Sequence, residues 1–257
     1  ALDYLIKVKG YSFLEAVETI IGHTAIQAPV YEKPQLKEEN KPLLLPEKCA
    51  SNRVITEYLF GRGIDFEIIN YCISNDLIFE SLPYHNVVFV GYDEKKEPKY
   101  AAYRSTNKRR IMGDCSGSKK DYSFRLGKEN LEEVHLFECA IDLLSYATLA
   151  KLNGQDWKEM SFVSLSGVYS PAKKIEDSKV PIALEKYLGS NPSVRKIRIH
   201  FDNDIAGRKA AQTLKTILPD KYEIVDEPPK AGKDFNDFLC MRMGIYNKKT
   251  HERNEER

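Results

Sequence analysis

The feature that most constrains the fold begins at Val134. Four short apolar runs, at 134–137, 162–165, 197–201 and 222–225, alternate with three longer segments of helical pattern, at 140–152, 181–188 and 206–218. Strand–helix alternation of this kind predicts an α/β unit, a parallel sheet with helices on both faces, because each crossover must return over the sheet to start the next parallel strand. Runs this short and this apolar suit strands buried on both sides.

A sheet of that type binds ligands at the carboxyl ends of its strands, and the acids of this sequence collect there. Glu138 follows the run Val134-His135-Leu136-Phe137 directly. Asp202 and Asp204 follow the run 197–201, and Asp234 and Asp237 follow the last strand after a short loop. Asp142 lies one helical turn beyond Glu138. Carboxylates brought close repel one another unless a cation lies among them. Mg²⁺, which takes hard oxygen ligands and bridges to phosphate, suits such a set, and Mn²⁺ is the substitute. A plainer reading stands beside this one for Asp142, Asp204 and Asp234, since acids at helix starts are favoured by capping and by the helix dipole. Glu138 and Asp202 end apolar strands, where that reading is weaker.

Ahead of this unit the pattern changes. Residues 1–21 read as helical, broken at Gly10, with Ser12 and Glu15 forming a capping box and Gly22 ending the helix. From 27 to 48 four prolines, Pro29, Pro34, Pro42 and Pro46, interrupt a charged stretch that reads as a linker. A small α+β unit follows over 49–130. It has helical spacing at Val54, Ile55, Tyr58 and Leu59, a cap at Asp65, a strand at Val87-Val88-Phe89-Val90 and a returning strand from Tyr100 to Tyr103. The α/β unit occupies 131–246, and the polar tail 247–257 is expected to be disordered.

Composition removes several classes. Of 257 residues, 42% are hydrophobic and 30% charged, which suits a chain with a real core. No run approaches the ~20 apolar residues of a membrane helix, and Ala1 to Gly10 carries charges unlike a signal peptide; no membrane and a cytoplasmic setting are expected. The five cysteines are dispersed with no C-x-x-C pair, so no zinc and no disulfide framework are expected. Net charge is +1, yet residues 104–125 hold seven basic residues, Arg104, Lys108, Arg109, Arg110, Lys119, Lys120 and Arg125, against two acids. Tyr100, Tyr103, Tyr122 and Phe124 interleave with them. Basic side chains suit a phosphate backbone and aromatics suit unstacked bases; a solvated loop with core aromatics is the alternative. Gly113, Gly117 and the neighbouring serines point to a mobile loop. His135 and His200 read as strand residues rather than ligands.

Three strings resemble a known family. Phe137-Glu138-Cys139-Ala140-Ile141-Asp142 resembles the Toprim glutamate motif. His200-Phe201-Asp202-Asn203-Asp204-Ile205-Ala206-Gly207-Arg208 resembles its D-x-D motif in the form found in primases, and Gly232-Lys233-Asp234-Phe235-Asn236-Asp237 resembles the Gly-Lys-Asp motif that trails it. Cys139 departs from the usual glycine. The resemblance covers about residues 131–240. It implies Glu138 as general acid/base or metal ligand, Asp202 and Asp204 as Mg²⁺ ligands, and Asp142, Asp234 and Asp237 as completing the site. Arg208, Ser166 and Gly167 are candidate phosphate contacts.

More loosely, Tyr58-Leu59-Phe60-Gly61-Arg62-Gly63-Ile64 and the strand pair after it resemble the polymerase domain of DnaG-type primases, as found in primase-like proteins of bacterial mobile elements. Residues 1–26 resemble the helices that close a primase zinc-binding domain, whose ribbon would lie upstream. The resemblance implies a Mg²⁺-dependent, primase-like nucleotidyltransferase acting on single-stranded DNA or RNA template and nucleotides. A relaxase or helicase of the same element is a candidate partner. A Toprim nuclease and a non-catalytic nucleic-acid-binding accessory protein remain the alternatives.

Overall fold

The computed structural model describes residues 2–11, 13–21, 41–167, 169, 171–172 and 174–245. The chain divides into two compact units, 1–40 and 41–257. In the first, α1 (Leu2–Lys7) and α2 (Phe13–Ile21) are separated by a turn in which Gly10 takes a φ of 72°. Ala16 is fully buried. The expected cap at Ser12, the stop at Gly22, Pro29 and Pro34 of the linker, and the tail 247–257 lie outside the described residues.

The second unit opens with the extended segment 41–48. It was expected to be linker, yet it lies along a sheet: Leu44 N–H donates to Ser116 O (2.9 Å), and Leu43 and Leu45 pack against Phe79, Val88 and Val90. Helices α3 (Arg53–Phe60) and α4 (Phe66–Ser74) follow, and the Asp65 carboxylate caps α4 by accepting from Glu67 N–H (2.9 Å). Strands β1 (Ile78–Glu80), β2 (Val87–Tyr92), β3 (Pro98–Arg104) and β4 (Met112–Asp114) form an antiparallel sheet in sequence order. The expected mobile loop around Gly113 is therefore in part a paired strand, with Gly113 opposite Tyr103.

The remaining elements are β5 (Arg125–Gly127), β6 (Glu133–Phe137), α5 (Ala140–Leu152), β7 (Ser161–Ser164), α6 (Ile182–Ser190), β8 (Lys196–Ile199), α7 (Ile205–Ile217), β9 (Glu223–Asp226) and α8 (Phe235–Arg242). They build a five-stranded sheet of order β5-β7-β6-β8-β9, parallel except for β5, which runs antiparallel to β7. This is the expected α/β architecture, with one addition. β5 comes from the stretch assigned to the preceding unit, so a boundary at 130/131 separates a strand from its own sheet.

Side chains alternate across β6, as a period of two requires. Val134 and Leu136 point to the face covered by α6 and α7, with Leu184, Tyr187, Ala211 and Leu214. Phe137 points to the other, with Leu143, Leu144, Phe235 and Leu239 from α5 and α8. That second core also takes Ile55, Leu59, Ile68 and Ile69 from α3 and α4. One hydrophobic core thus joins the small unit to the parallel sheet. α5 is buried nearly all round, which explains why its sequence shows an apolar run rather than a stripe. Among the described residues no helix is long and apolar enough to cross a membrane.

Candidate active site

The carboxyl ends of β6 and β8 lie side by side, because the two strands pair in parallel through Leu136 and Ile199. Glu138 leaves β6 just before α5, and Asp202 leaves β8 just before α7. The Glu138 side chain is buried, and its Oε1 accepts the Asp202 backbone N–H (3.2 Å). Asp204 is the N-cap of α7 and accepts Gly207 N–H (2.9 Å), so the capping interpretation of Asp204 holds alongside its place in the acidic group. Gly207 has a steric reason to be glycine. A Cβ there would stand 2.2 Å from Asp202 O and 3.0 Å from Glu138 Oε1, so the α7 backbone presses directly on the two acids.

Lys233, part of the Gly-Lys-Asp motif, is a further member of the site. Its ammonium bridges Asp202 Oδ2 (3.0 Å) and Asp204 Oδ2 (3.3 Å), and its carbonyl accepts Asn203 N–H (2.7 Å). The Gly-Lys-Asp spacing beside D-x-D was the signal that could have found it. Next to this group lies a second one. Asp234 caps α8 by accepting Asp237 N–H (2.7 Å), and Asp237 accepts Lys233 N–H (3.3 Å). Asp142 is buried in the first turn of α5, where it accepts Asn236 N–H (3.2 Å) and the Cys139 thiol (2.8 Å). Cys139, at the position of the family's glycine, is thus used to hold Asp142. Asn236, also missed, donates its side-chain amide to Arg62 O (2.9 Å) and Ser145 Oγ (3.0 Å), tying α8 to α5 and to the turn after α3.

The electrostatics are those of crowded acids out of water. Burial, then the Asp202 charge, pushes Glu138 up to about 7. Burial, then Asp234, pushes Asp142 up to about 7. Asp202 and Asp237 are raised by burial as well, whereas the Gly207 N–H holds Asp204 below its usual value. Lys233 is raised by its hydrogen bond to Asp202. The donor set is all carboxylate, and a side-chain cation already sits between two of its members. This fits a divalent cation that keeps most of its water and binds through one or two carboxylates, as Mg²⁺ does.

Arg208 is directed inward. Its guanidinium pairs with Asp226 (2.7 Å) and donates to Phe201 O (2.8 Å) and Asp202 O (3.2 Å). That geometry makes it a brace under the D-x-D loop. Ser166 and Gly167 lie at the end of β7 with φ values of 62° and 129°, and Gly167 N–H donates to Glu138 O (2.9 Å). They border a cavity of about 300 Å³, mostly apolar, shared with Tyr100, Tyr103, Arg104 and Phe124 and with Cys139 and Ala140 at the start of α5.

The basic stretch is not one continuous strip. Lys108, Arg109 and Arg110 are exposed in the turn between β3 and β4. Lys119 is exposed, Lys120 pairs with Asp114 (3.0 Å), Arg104 donates to Tyr58 OH (3.0 Å), and Arg125 lies over the Tyr187 ring. Tyr100 and Phe124 are core residues, each 1% exposed. Of the four interleaved aromatics only Tyr103 and Tyr122 are partly exposed, a correction to the expected pattern. His135 and His200 form a buried pair beneath the acids, Nδ1 to Nε2 at 2.8 Å, with His200 Nδ1 facing Glu227 O (3.0 Å). Burial holds His200 well below the usual imidazole range, as a neutral core residue.

With this geometry in hand, comparison places the parallel-sheet unit in a class. Residues 135–239 match the family model described as Toprim-like, and residues 57–130 match a family described as a protein of unknown function, DUF3991. The C-terminal part of the chain thus carries a Toprim-like domain. Similar solved structures include the primase fragment of the bacteriophage T7 primase-helicase protein (20% identity, 72% of this chain and 68% of that one, TM-score 0.48). The E. coli primase catalytic core is 12% identical over 79% and 72%, with a TM-score of 0.47. The zinc-binding and RNA polymerase domains of the Aquifex aeolicus primase are 15% identical over 95% and 68%, with a TM-score of 0.46. No curated protein matches the chain.

Proposed function

We propose that the chain is a primase-like nucleotidyltransferase that uses Mg²⁺ or Mn²⁺ on a single-stranded template. The observation that carries this is the placing of Glu138, Asp202 and Asp204 at adjacent strand ends, with the Asp202 N–H on Glu138 Oε1 and the Lys233 ammonium on both aspartates. A divalent cation bound there supplies charge neutralisation for the triphosphate and lowers the pKa of an attacking 3′ hydroxyl. Asp202 and Asp204 are the residues to hold it, with Lys233 turning from the carboxylates to phosphate oxygens. Glu138, poised to exchange a proton near neutral pH, accepts the hydroxyl proton as the new bond to the α-phosphorus forms and the bond to pyrophosphate breaks. The cavity beside Ser166 is of a size to shelter a base, and Lys108, Arg109 and Arg110 provide phosphate contacts for template.

The looser likeness of residues 58–104 to primase-like proteins of mobile elements supports a place in the replication of such an element, with a relaxase or helicase as partner. The deciding experiment is extension of a pre-annealed primer on single-stranded DNA with labelled nucleotides, in Mg²⁺ and in Mn²⁺. Metal-dependent extension that disappears in Glu138→Gln is expected. Cleavage of the template that depends on Glu138 would instead identify a nuclease, and binding with neither activity an accessory protein.

A further inference from the structure

Away from the acidic edge, three different donors meet where the segment 47–49 runs against the end of β1. The Cys49 sulfur, a Glu80 carboxylate oxygen and a His85 ring nitrogen all lie within 4.8 Å of one another, a closeness that, among the described residues, no other group of three such donors shows. The backbone fixes this meeting. Cys49 N–H donates to Glu80 O (2.8 Å), Leu82 N–H donates to Glu47 O (2.8 Å), and Lys48 bridges to Ser81. His85 sits in the left-handed region at φ 52°, its N–H on Ser81 O (2.8 Å) and its carbonyl accepting the Thr106 hydroxyl (3.0 Å). Few non-glycine residues take that conformation; here it turns the ring so that Nδ1 stands 2.6 Å from Glu80 Oε1. Glu80 is itself buried, and its other oxygen accepts Val54 N–H (2.8 Å) and Ile55 N–H (3.2 Å) at the start of α3. The carboxylate is thus aimed by α3 and leaves Oε1 toward the imidazole.

We propose that Cys49, Glu80 and His85 form a binding site for a zinc-class transition-metal ion, distinct from the carboxylates of the Toprim domain. A thiolate, an imidazole and a carboxylate are the donor types that zinc takes, and a thiolate selects against Mg²⁺. Three protein ligands leave a fourth position for water. A thiolate and a carboxylate together balance the charge of a dication, so the ion enters a half-buried place without leaving uncompensated charge. Uptake removes the Cys49 proton. The site spans residues 36 apart in sequence, from two segments joined by backbone contacts between 47–49 and 80–82, so no cysteine spacing reveals it.

The test uses the whole chain, stripped with a chelator, loaded with Zn²⁺ or Co²⁺ in the presence of excess Mg²⁺, and freed of unbound metal by gel filtration. One equivalent is expected to remain, and the Co²⁺ form is expected to show thiolate-to-metal charge-transfer absorption in the near ultraviolet. Both signals should disappear in Cys49→Ser and in His85→Ala, and both should persist in Asp202→Asn/Asp204→Asn. Circular dichroism of the metal-free variants checks that they fold, and Cys49→Ala is the second variant should serine disturb the seam. Absence of stoichiometric metal in the wild-type chain overturns the proposal. So does a thiolate band that survives loss of Cys49, which would assign it to another cysteine, such as Cys139 beside Asp142.

Discussion

Glu138 stores an electrostatic cost that its protonation relieves. Its carboxyl titrates at about 7 in the fold against 4.5 in the reference state. Between those values the folded chain holds a proton that the unfolded chain has released. Stability associated with this group is therefore complete below about pH 4.5 and lost as pH rises to about 7. A shift of this size corresponds to about 3 kcal/mol at most. In chelator, Glu138→Gln should flatten that slope and exceed the wild type in stability above pH 7, as followed by urea unfolding across pH 5–8. Parallel pH profiles for the two proteins would sink this account of Glu138. Lys233 makes a complementary prediction. Its ammonium already neutralises Asp202 and Asp204, so Lys233→Met should enlarge the rise in melting temperature produced by Mg²⁺, because the ion no longer competes with a tethered cation. The enlargement should vanish once Asp202→Asn and Asp204→Asn are added. A Mg²⁺ response indifferent to those two aspartates would place the ion elsewhere.

At the scale of elements, the strand–helix rhythm was legible because each run obeys one period. The helix expected at 140–152 is α5 to the residue, and the runs near 134, 162, 197 and 222 are β6 to β9. Hidden from the sequence were the elements whose identity depends on a partner. β1, β4 and β5 have three residues each, too short to show alternation, and exist because a longer strand lies alongside. The site divides the same way. Glu138 and Asp202 stand out in the sequence because an acid after an apolar strand has no local purpose, whereas Asp204 also caps α7; Lys233 and Asn236 act across distances the sequence does not display. The β3–β4 turn is where the nucleic-acid reading meets a measurable element. Lys108, Arg109 and Arg110 are exposed together there. Changing all three to Gln should lower the salt dependence of single-stranded DNA binding by up to ~2 units in log–log slope, at roughly 0.7 per phosphate contact. The measurement is fluorescence anisotropy over a salt series; an unchanged slope would return the turn to an ordinary solvated surface.

At the scale of the whole molecule, the small α+β unit and the Toprim-like domain are one folding problem. The family-model matches fall on either side of residues 130–135, yet the physical contacts cross that line freely. β5 supplies the antiparallel edge of the five-stranded sheet through Arg125↔Val163 and Leu126↔Phe162. Asn236 of α8 binds Arg62 O, Asp65 N–H donates to Thr148 Oγ1 (3.1 Å), and Lys151 pairs with Asp65 (2.7 Å). Ile55, Leu59, Ile68 and Ile69 fill the same core as Leu143, Phe235 and Leu239. Each buried Ile or Leu removed from such a core costs about 2–5 kcal/mol, against a total stability of about 5–15 kcal/mol for a domain. A piece spanning 131–245 would lose four of these side chains and an edge strand at once, and would expose the apolar face of α5. It should therefore behave as an aggregating or molten chain. A piece spanning 41–245 should unfold in a single cooperative transition with coincident fluorescence and circular dichroism curves. A cooperative transition in the shorter piece would show that the shared core is an interface between two independent domains, and the placing of Glu138, Asp202 and Asp204 would then owe nothing to α3 and α4.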